Sequence, residues 1–213
     1  AFVYIRGEFF LGIKRWIKAI ADAYQYGLLG KNILSSGFSL DISVHRGAGA
    51  YICGEETAML ESLEGKRGEP RLKPPYPVQV GLWGKPTVVQ NVETLVNVPH
   101  LILNGAEWYT SIGTEKSSGP KIFCISGHVN RPGIYELPLG TPLRTIIDEY
   151  AGGVRHGHTI KAVIPGGVST NLVLPQHHDV PRSFEGLEAI GTQLGTGGVI
   201  VMDDTTDMVE VAR

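Results

Sequence analysis

Apolar side chains return at three- and four-residue intervals through residues 8–28, where Ile13, Ile17, Ile20, Tyr24 and Leu28 recur. That spacing predicts a helix, with Gly27 and Gly30 as its stop. Residues 2–6 (FVYIR) read as a short buried strand, and residues 38–45 (FSLDISVH) alternate apolar with polar positions as a half-buried strand does. The second strand runs into a glycine-rich loop and a further helix. Strand, helix, strand, loop, helix is an α/β order.

The pattern then breaks. Residues 66–86 hold prolines at 70, 74, 75, 77 and 86, with Lys66, Arg67, Arg71 and Lys73 clustered at the start. Such a stretch is neither helix nor central strand and predicts a stiff basic loop. Residues 91–104 (NVETLVNVPHLILN) return to a helical pattern, with Asn91 as candidate N-cap and Pro99 as a kink. At residues 113–120 (GTEKSSGP) apolar periodicity is lost and a new unit is expected. KIFCISG is a strand, NRPG a turn, IYEL a strand, TPLRTIIDEY a helix, and KAVIPGG and TNLVL two more strands. The order ββαββ is compatible with a β-grasp module.

The densest chemistry lies in residues 44–65, VHRGAGAYICGEETAMLESLEG. A glycine loop feeding a helix ordinarily receives an anion, because free backbone N–H groups and the helix dipole both favour negative charge. Glu55 and Glu56 would repel a phosphate on that turn, so the expected arrival is a neutral hydroxyl or ring edge. Gly47, Gly49 and Gly54 would let a flat ring or sugar approach the main chain. The spacing G-x-G-x-x-x-x-G is not the dinucleotide fingerprint, whose third glycine follows the second by three residues. The competing reading is that the glycines only turn the chain and the glutamates only cap the helix. In the basic loop, Lys73 could meet phosphates and Tyr76 could stack.

Composition narrows the classes. A formal net charge of −2 with 19% charged residues offers no basic excess for nucleic acid or anionic lipid. Apolar runs fall short of the roughly 20 residues that cross a bilayer, and the first residues lack a signal peptide's charged region and cleavage site. A cytoplasmic or membrane-peripheral location is expected. Cys53 and Cys124 share no metal-ligand spacing and are expected to be reduced, buried thiols; the seven histidines complete no metal shell.

Residues 45–77 (HRGAGAYICGEETAMLESLEGKRGEPRLKPPYP), 81–99 (GLWGKPTVVQNVETLVNVP) and 126–143 (SGHVNRPGIYELPLGTPL) resemble the NADH- and FMN-binding flavoprotein subunit of respiratory complex I. The same module occurs in soluble NAD-reducing hydrogenases and formate dehydrogenases. The resemblance runs from Val3 past Gly195 and covers the family's middle. It implies an α/β FMN-binding domain, in part, followed by an α+β β-grasp (SLBB, ubiquitin-like) domain. The implied limits are residues 1–112 for the FMN/NADH domain, 113–118 for a linker, 119–175 for SLBB, and 176–213 for a connector to an iron–sulfur helical domain.

By matching position, Tyr51, Gly54, Glu55, Glu56, Val89, Gln90, Asn91 and Thr94 would line FMN, and Glu56, Lys73 and Tyr76 would meet NADH. Gln90 stands where the family usually has asparagine. No residue is implied as a general acid or base, since FMN carries the hydride transfer from NADH. Electrons would then pass singly to iron–sulfur clusters towards quinone. The family's [4Fe–4S] cysteines are expected after Arg213, and its phosphate-receiving glycine segment before Ala1, so these 213 residues alone are expected to bind little FMN. Implied partners are the other subunits of a multisubunit oxidoreductase, especially a thioredoxin-like [2Fe–2S] subunit, with membrane contact only through the complex. Two alternatives stay open: a flavoprotein subunit of a hydrogenase or formate dehydrogenase, and a non-catalytic SLBB interaction module.

Overall fold

The computed structural model describes residues 1–213 and resolves into two compact units, Ala1–Asn91 and Val92–Arg213. In the first, β1 (Phe2–Ile5) and β2 (Ser43–Arg46) pair in parallel with Phe2 opposite Ser43 and Ile5 opposite Arg46. A parallel pair needs a crossover, and α1 (Phe10–Gln25) supplies it. The helix packs closely because Gly12 has no side chain: a Cβ there would lie 3.1 Å from Ile5 Cδ1. Of the periodic set, Ile13 and Ile20 are half-buried, while Ile17, Tyr24 and Leu28 are exposed. The expected strand over 38–45 shrinks to its end. Residues before Ser43 keep only a bridge from Leu40 to Gly30, since Asn32, Leu34 and Ser35 turn the chain through left-handed conformations.

The second unit opens with α3 (Val92–Asn104), which continues through Pro99, and α4 (Ala106–Thr110). By their contacts these helices group with the sheet that comes after them. The Glu93 carboxylate accepts from Lys121 Nζ and from the Ile122 N–H at 2.9 Å, and Gly119 N–H donates to Ile112 O at 2.7 Å. The sheet has the order β4-β3-β6-β5, built from β3 (Pro120–Gly127), β4 (Gly133–Pro138), β5 (Ile160–Ile164) and β6 (Gly198–Asp203). β3 is antiparallel to β4 and parallel to β6, and β5 is antiparallel to β6. Alternation on β3 sends Phe123 and Ile125 into a core with Leu143, Ile146, Val163, Leu187, Leu194, Val199 and Val201, all buried. Full burial of such a side chain stabilises the fold by about 1.5–3 kcal/mol.

Four expectations change here. The module does not end at 175: β6, inside the expected connector, is the strand between β3 and β5. TNLVL makes one bridge, Val173 to Val163, in place of a strand. The helix over 141–150 starts as α5 (Leu143–Thr145) and widens into a π turn over Ile146–Tyr150. Cys124 points off the outer face of β3 and is exposed, whereas Cys53 is buried.

The segment 113–118 is pinned as well. Ser117 is 2% exposed, and the carboxylate of Glu185, on α6 (Phe184–Glu188), accepts from Thr114 Oγ1 at 2.6 Å and Ser117 Oγ at 2.5 Å. Ser117 first and Thr114 second hold Glu185 at about 2, against an ordinary 4.5. A depressed carboxyl contributes stability that is present above 4.5 and lost as pH falls through about 2. Trypsin is therefore expected to cut slowly after Lys116 at pH 8 in the wild type, and roughly tenfold faster in Glu185→Ala, where the turn opens locally. Equal cleavage rates would show that Glu185 does not hold the turn.

Candidate functional site

The glycine loop joins β2 to α2 (Glu56–Leu63) through a single 3₁₀ turn, Tyr51–Gly54. Its glycines differ in purpose. At Gly47 a Cβ would fall 2.9 Å from Tyr4 Oη, and the Gly47 carbonyl lies 2.4 Å from where a Cβ of Gly7 would be, so Gly47 serves internal packing. Gly49 has φ +91°, which an L side chain rarely adopts. At Gly54 a Cβ would meet nothing within 4 Å, and Tyr51 on the same turn is 88% exposed. The open approach expected for all three glycines thus belongs to Gly54.

Glu55 is the N-cap of α2. Its Oε2 accepts from Thr57 N–H at 2.9 Å, Ala58 N–H at 2.8 Å and Thr57 Oγ1 at 2.5 Å, which satisfies donors every helix start leaves unpaired. Its Oε1 accepts from Lys73 Nζ at 3.0 Å. Burial opposes the charge on Glu55, but the bonds from Thr57, Ala58 and Lys73 outweigh it and bring the carboxyl down to about 2. Lys73 Nζ also donates to Glu56 Oε1 at 2.6 Å, and these two carboxylates, Glu56 first, raise the lysine above its ordinary value.

The proline-rich loop reaches this position because Arg71 anchors it to α2. Its backbone N–H donates to Thr57 Oγ1 at 2.8 Å, its Nη1 to Gly81 O at 3.0 Å, its Nη2 to Glu64 at 2.8 Å and its Nε to Glu61. Cys53 supports the same seam: a Cβ at Gly68 would lie 2.5 Å from its Sγ. The basic cluster is consequently not a free set of phosphate ligands. Lys66 pairs with Glu64 at 2.8 Å, Arg67 with Glu69 at 3.1 Å, Arg71 with Glu61 and Glu64, and Lys73 with Glu55 and Glu56.

Of the residues expected at the site, Glu55, Glu56 and Lys73 are in contact, with Tyr51 and Gly54 one turn before them. Tyr76, 53% exposed, follows Lys73 on the same loop. Val89, Gln90 and Asn91 lie outside any helix or strand at the end of the first unit, and Thr94 stands in the first turn of α3 in the second. Four further residues, Thr57, Glu61, Glu64 and Arg46, were not apparent from the sequence. Thr57 relays Glu55 to Arg71, Glu61 and Glu64 fix the loop, and Arg46 stacks over Phe10 at 4.6 Å beside a groove of about 510 Å³ along Gly7, Glu8 and Gly49. The E-x-T step at a helix start and the i,i+3 glutamates facing a basic loop were the available signals.

An α/β unit whose carboxylate-capped helix follows a glycine loop, succeeded by a β-grasp unit, defines a two-domain module of the flavin-binding type. Residues 1–100 match the Nuo51 FMN-binding domain and residues 121–201 the SLBB domain. The second form of the NADH-quinone oxidoreductase F subunit in Rhizobium meliloti is 54% identical over 212 residues, covering 100% of this chain and 50% of that protein. The NADH-quinone oxidoreductase F subunit of Mycobacterium tuberculosis is 54% identical over 213 residues, covering 100% and 48%. An NAD+-reducing [NiFe]-hydrogenase in the H2-reduced state superposes with a TM-score of 0.83 at 38% identity, over 99% of this chain and 34% of that one. Its first part thus carries an FMN-binding domain of the Nuo51 type and its second an SLBB domain, and along its whole length the chain is similar to NADH-quinone oxidoreductase F subunits and to the hydrogenase chain. It spans about half the length of the curated relatives it matches.

Proposed function

We propose that the protein serves as the NADH-oxidising flavoprotein subunit of a multisubunit oxidoreductase. The observation that carries this reading is the turn Tyr51–Gly54 leading into Glu55 and Glu56: it combines an unobstructed backbone at Gly54 with a fixed pair of carboxylates. These residues fit FMN, because a flat ring can approach Gly54 and a carboxylate can accept from a ring N–H or a ribose hydroxyl. FMN, when bound, supplies the hydride-accepting chemistry and releases electrons one at a time towards iron–sulfur centres. Tyr51, Gly54, Glu56, Val89, Gln90, Asn91 and Thr94 hold it, with Glu55 serving from behind as the helix cap. Glu56, Lys73 and Tyr76 form the NADH side of the site, Glu56 and Tyr76 by direct contact. No side chain is needed as a general acid or base.

The partners are the other subunits of the complex, including a thioredoxin-like [2Fe–2S] subunit that accepts the electrons. No helix is long and apolar enough to cross a membrane, and membrane association comes through those partners. A second reading, the flavoprotein part of an NAD+-reducing hydrogenase, is favoured by the TM-score of 0.83; the partner subunits distinguish the two.

In the FMN-loaded protein, Glu56→Gln is expected to retain flavin and to raise the KM for NADH by roughly ten- to hundredfold, the worth of a charge-assisted hydrogen bond. Steady-state kinetics with flavin quantified by absorbance checks this. Unchanged KM and turnover from pH 5 to 9 would remove Glu56, and with it the reading, from the nucleotide site.

A further inference from the structure

Glu55 and Glu56 are neighbours in sequence yet unequal as ligands. Both oxygens of Glu55 are engaged within the protein, Oε2 by the helix start and Oε1 by Lys73. Glu56 is engaged at Oε1 alone, by Lys73 at 2.6 Å, and its side chain is 38% exposed. The acceptor left for a ligand is therefore Glu56 Oε2. What fixes that oxygen is the ammonium that ties Glu56 to its immobile neighbour. Without a cation between them, two carboxylates on adjacent residues repel, and the exposed one swings into water.

Lys73 is itself held. Two residues before it, Arg71 binds Thr57, Glu61, Glu64 and Gly81 O, and the prolines at 74 and 75 follow it directly. Its donors face inward to the carboxylates at 3.0 and 2.6 Å. A lysine already shared between two carboxylates is a poor phosphate ligand, because every new contact to an anion must replace one of these.

We propose that Lys73 is a positioning residue that acts on the nicotinamide dinucleotide through Glu56, as the internal counter-ion of the Glu55–Glu56 pair. It is not a direct phosphate contact. The inference rests on the proposed function above, since it presupposes that Glu56 faces the nucleotide. It makes the site a fixed acceptor of reduced net charge that selects hydrogen-bond donors on the ligand over its phosphates.

A double-mutant cycle on nucleotide binding tests this, read as the dissociation constant of NAD+ by calorimetry on the FMN-loaded protein, independent of turnover. Lys73→Met and Glu56→Gln are each expected to weaken binding roughly tenfold or more, and the double variant to be no weaker than Glu56→Gln alone, since both changes remove one interaction. Lys73→Arg, which can still bridge two carboxylates, is expected to recover most of the affinity. Raising the salt concentration is expected to change wild type and Lys73→Met affinities by the same factor. Additive losses in the double variant, or a salt dependence that disappears in Lys73→Met, would identify a direct phosphate contact and overturn the proposal. A Glu56→Gln variant with wild-type affinity would instead overturn the functional reading beneath it. Thermal melts of all variants separate these outcomes from misfolding, and Lys73→Arg carries the test if Lys73→Met does not fold.

Discussion

Replacing Arg71 with methionine is expected to release the proline-rich loop and destabilise the first unit by about 3 kcal/mol, the lower end for breaking a buried ion pair because the side chain is 23% exposed. Glu64 would keep Lys66 but lose Arg71, and Glu61 would lose its closest cation. The loss is pH-dependent. Glu64 is held at about 2 first by Lys66 and then, against the opposing effect of burial, by Arg71 and the Trp83 N–H. Its contribution is complete above the ordinary 4.5 and disappears as pH falls through about 2. Urea unfolding of wild type and variant at pH 7 and pH 3 should thus show a gap that narrows in acid. Because Lys73 and Tyr76 follow on the released loop, nucleotide affinity should fall as well. A loss below about 1 kcal/mol would place Arg71 among ordinary surface pairs.

The second large effect has the opposite sign. Arg182 is fully buried in the second unit, with Nη2 donating to Pro165 O, the guanidinium 5.3 Å from the Phe123 ring centroid, and Nε and Nη1 without a hydrogen-bond partner in the protein. Burial pushes its pKa down from 12.5 to about 10. A base depressed in the fold costs stability wherever it must be charged in both states, so the penalty is complete at neutral pH and is relieved only as pH climbs past about 10. Arg182→Met, similar in volume and apolar, is expected to stabilise the unit by about 2 kcal/mol, as replacing buried charges by packed apolar groups commonly does. Calorimetric melting at pH 7 checks it. A lower melting temperature would mean that the Pro165 bond and the Phe123 contact outweigh the desolvation.

Local period was legible where one face packs on a core. Phe123 and Ile125 against Ile122 and Cys124, or Ile13 and Ile20 on α1, are readable because neighbouring positions lie on opposite sides. The start of α2 was legible too, since a carboxylate before a helix caps it. β6 was missed because it opens on Gly198, directly after Gly197, and continues as the unbroken apolar run Val199–Met202, which carries no polar–apolar alternation and passed for a connector. Charge was legible, pairing was not. Lys66, Arg67, Arg71 and Lys73 look like one cationic patch, and only the fold shows that Glu55, Glu56, Glu61, Glu64 and Glu69 consume it. The segment 113–118 misled for a related reason: its serine and threonine hydroxyls look like solvent-facing groups until Glu185, far along the chain, accepts from them.

The place of β6 in the sheet fixes an order of events during synthesis. The β3–β4 hairpin can close early, because its partners are near in sequence. Its other edge waits for Gly198 to reach Cys124, and β5 has no strand beside it until Val201 reaches Val163. Until Asp203 has left the ribosome, β3 therefore presents a row of unpaired N–H and C=O groups that a second nascent chain can copy. The time that edge stays open sets the window in which a second chain could pair with it, so a slowed codon just after β6 would favour closure where one just before it would lengthen the exposure.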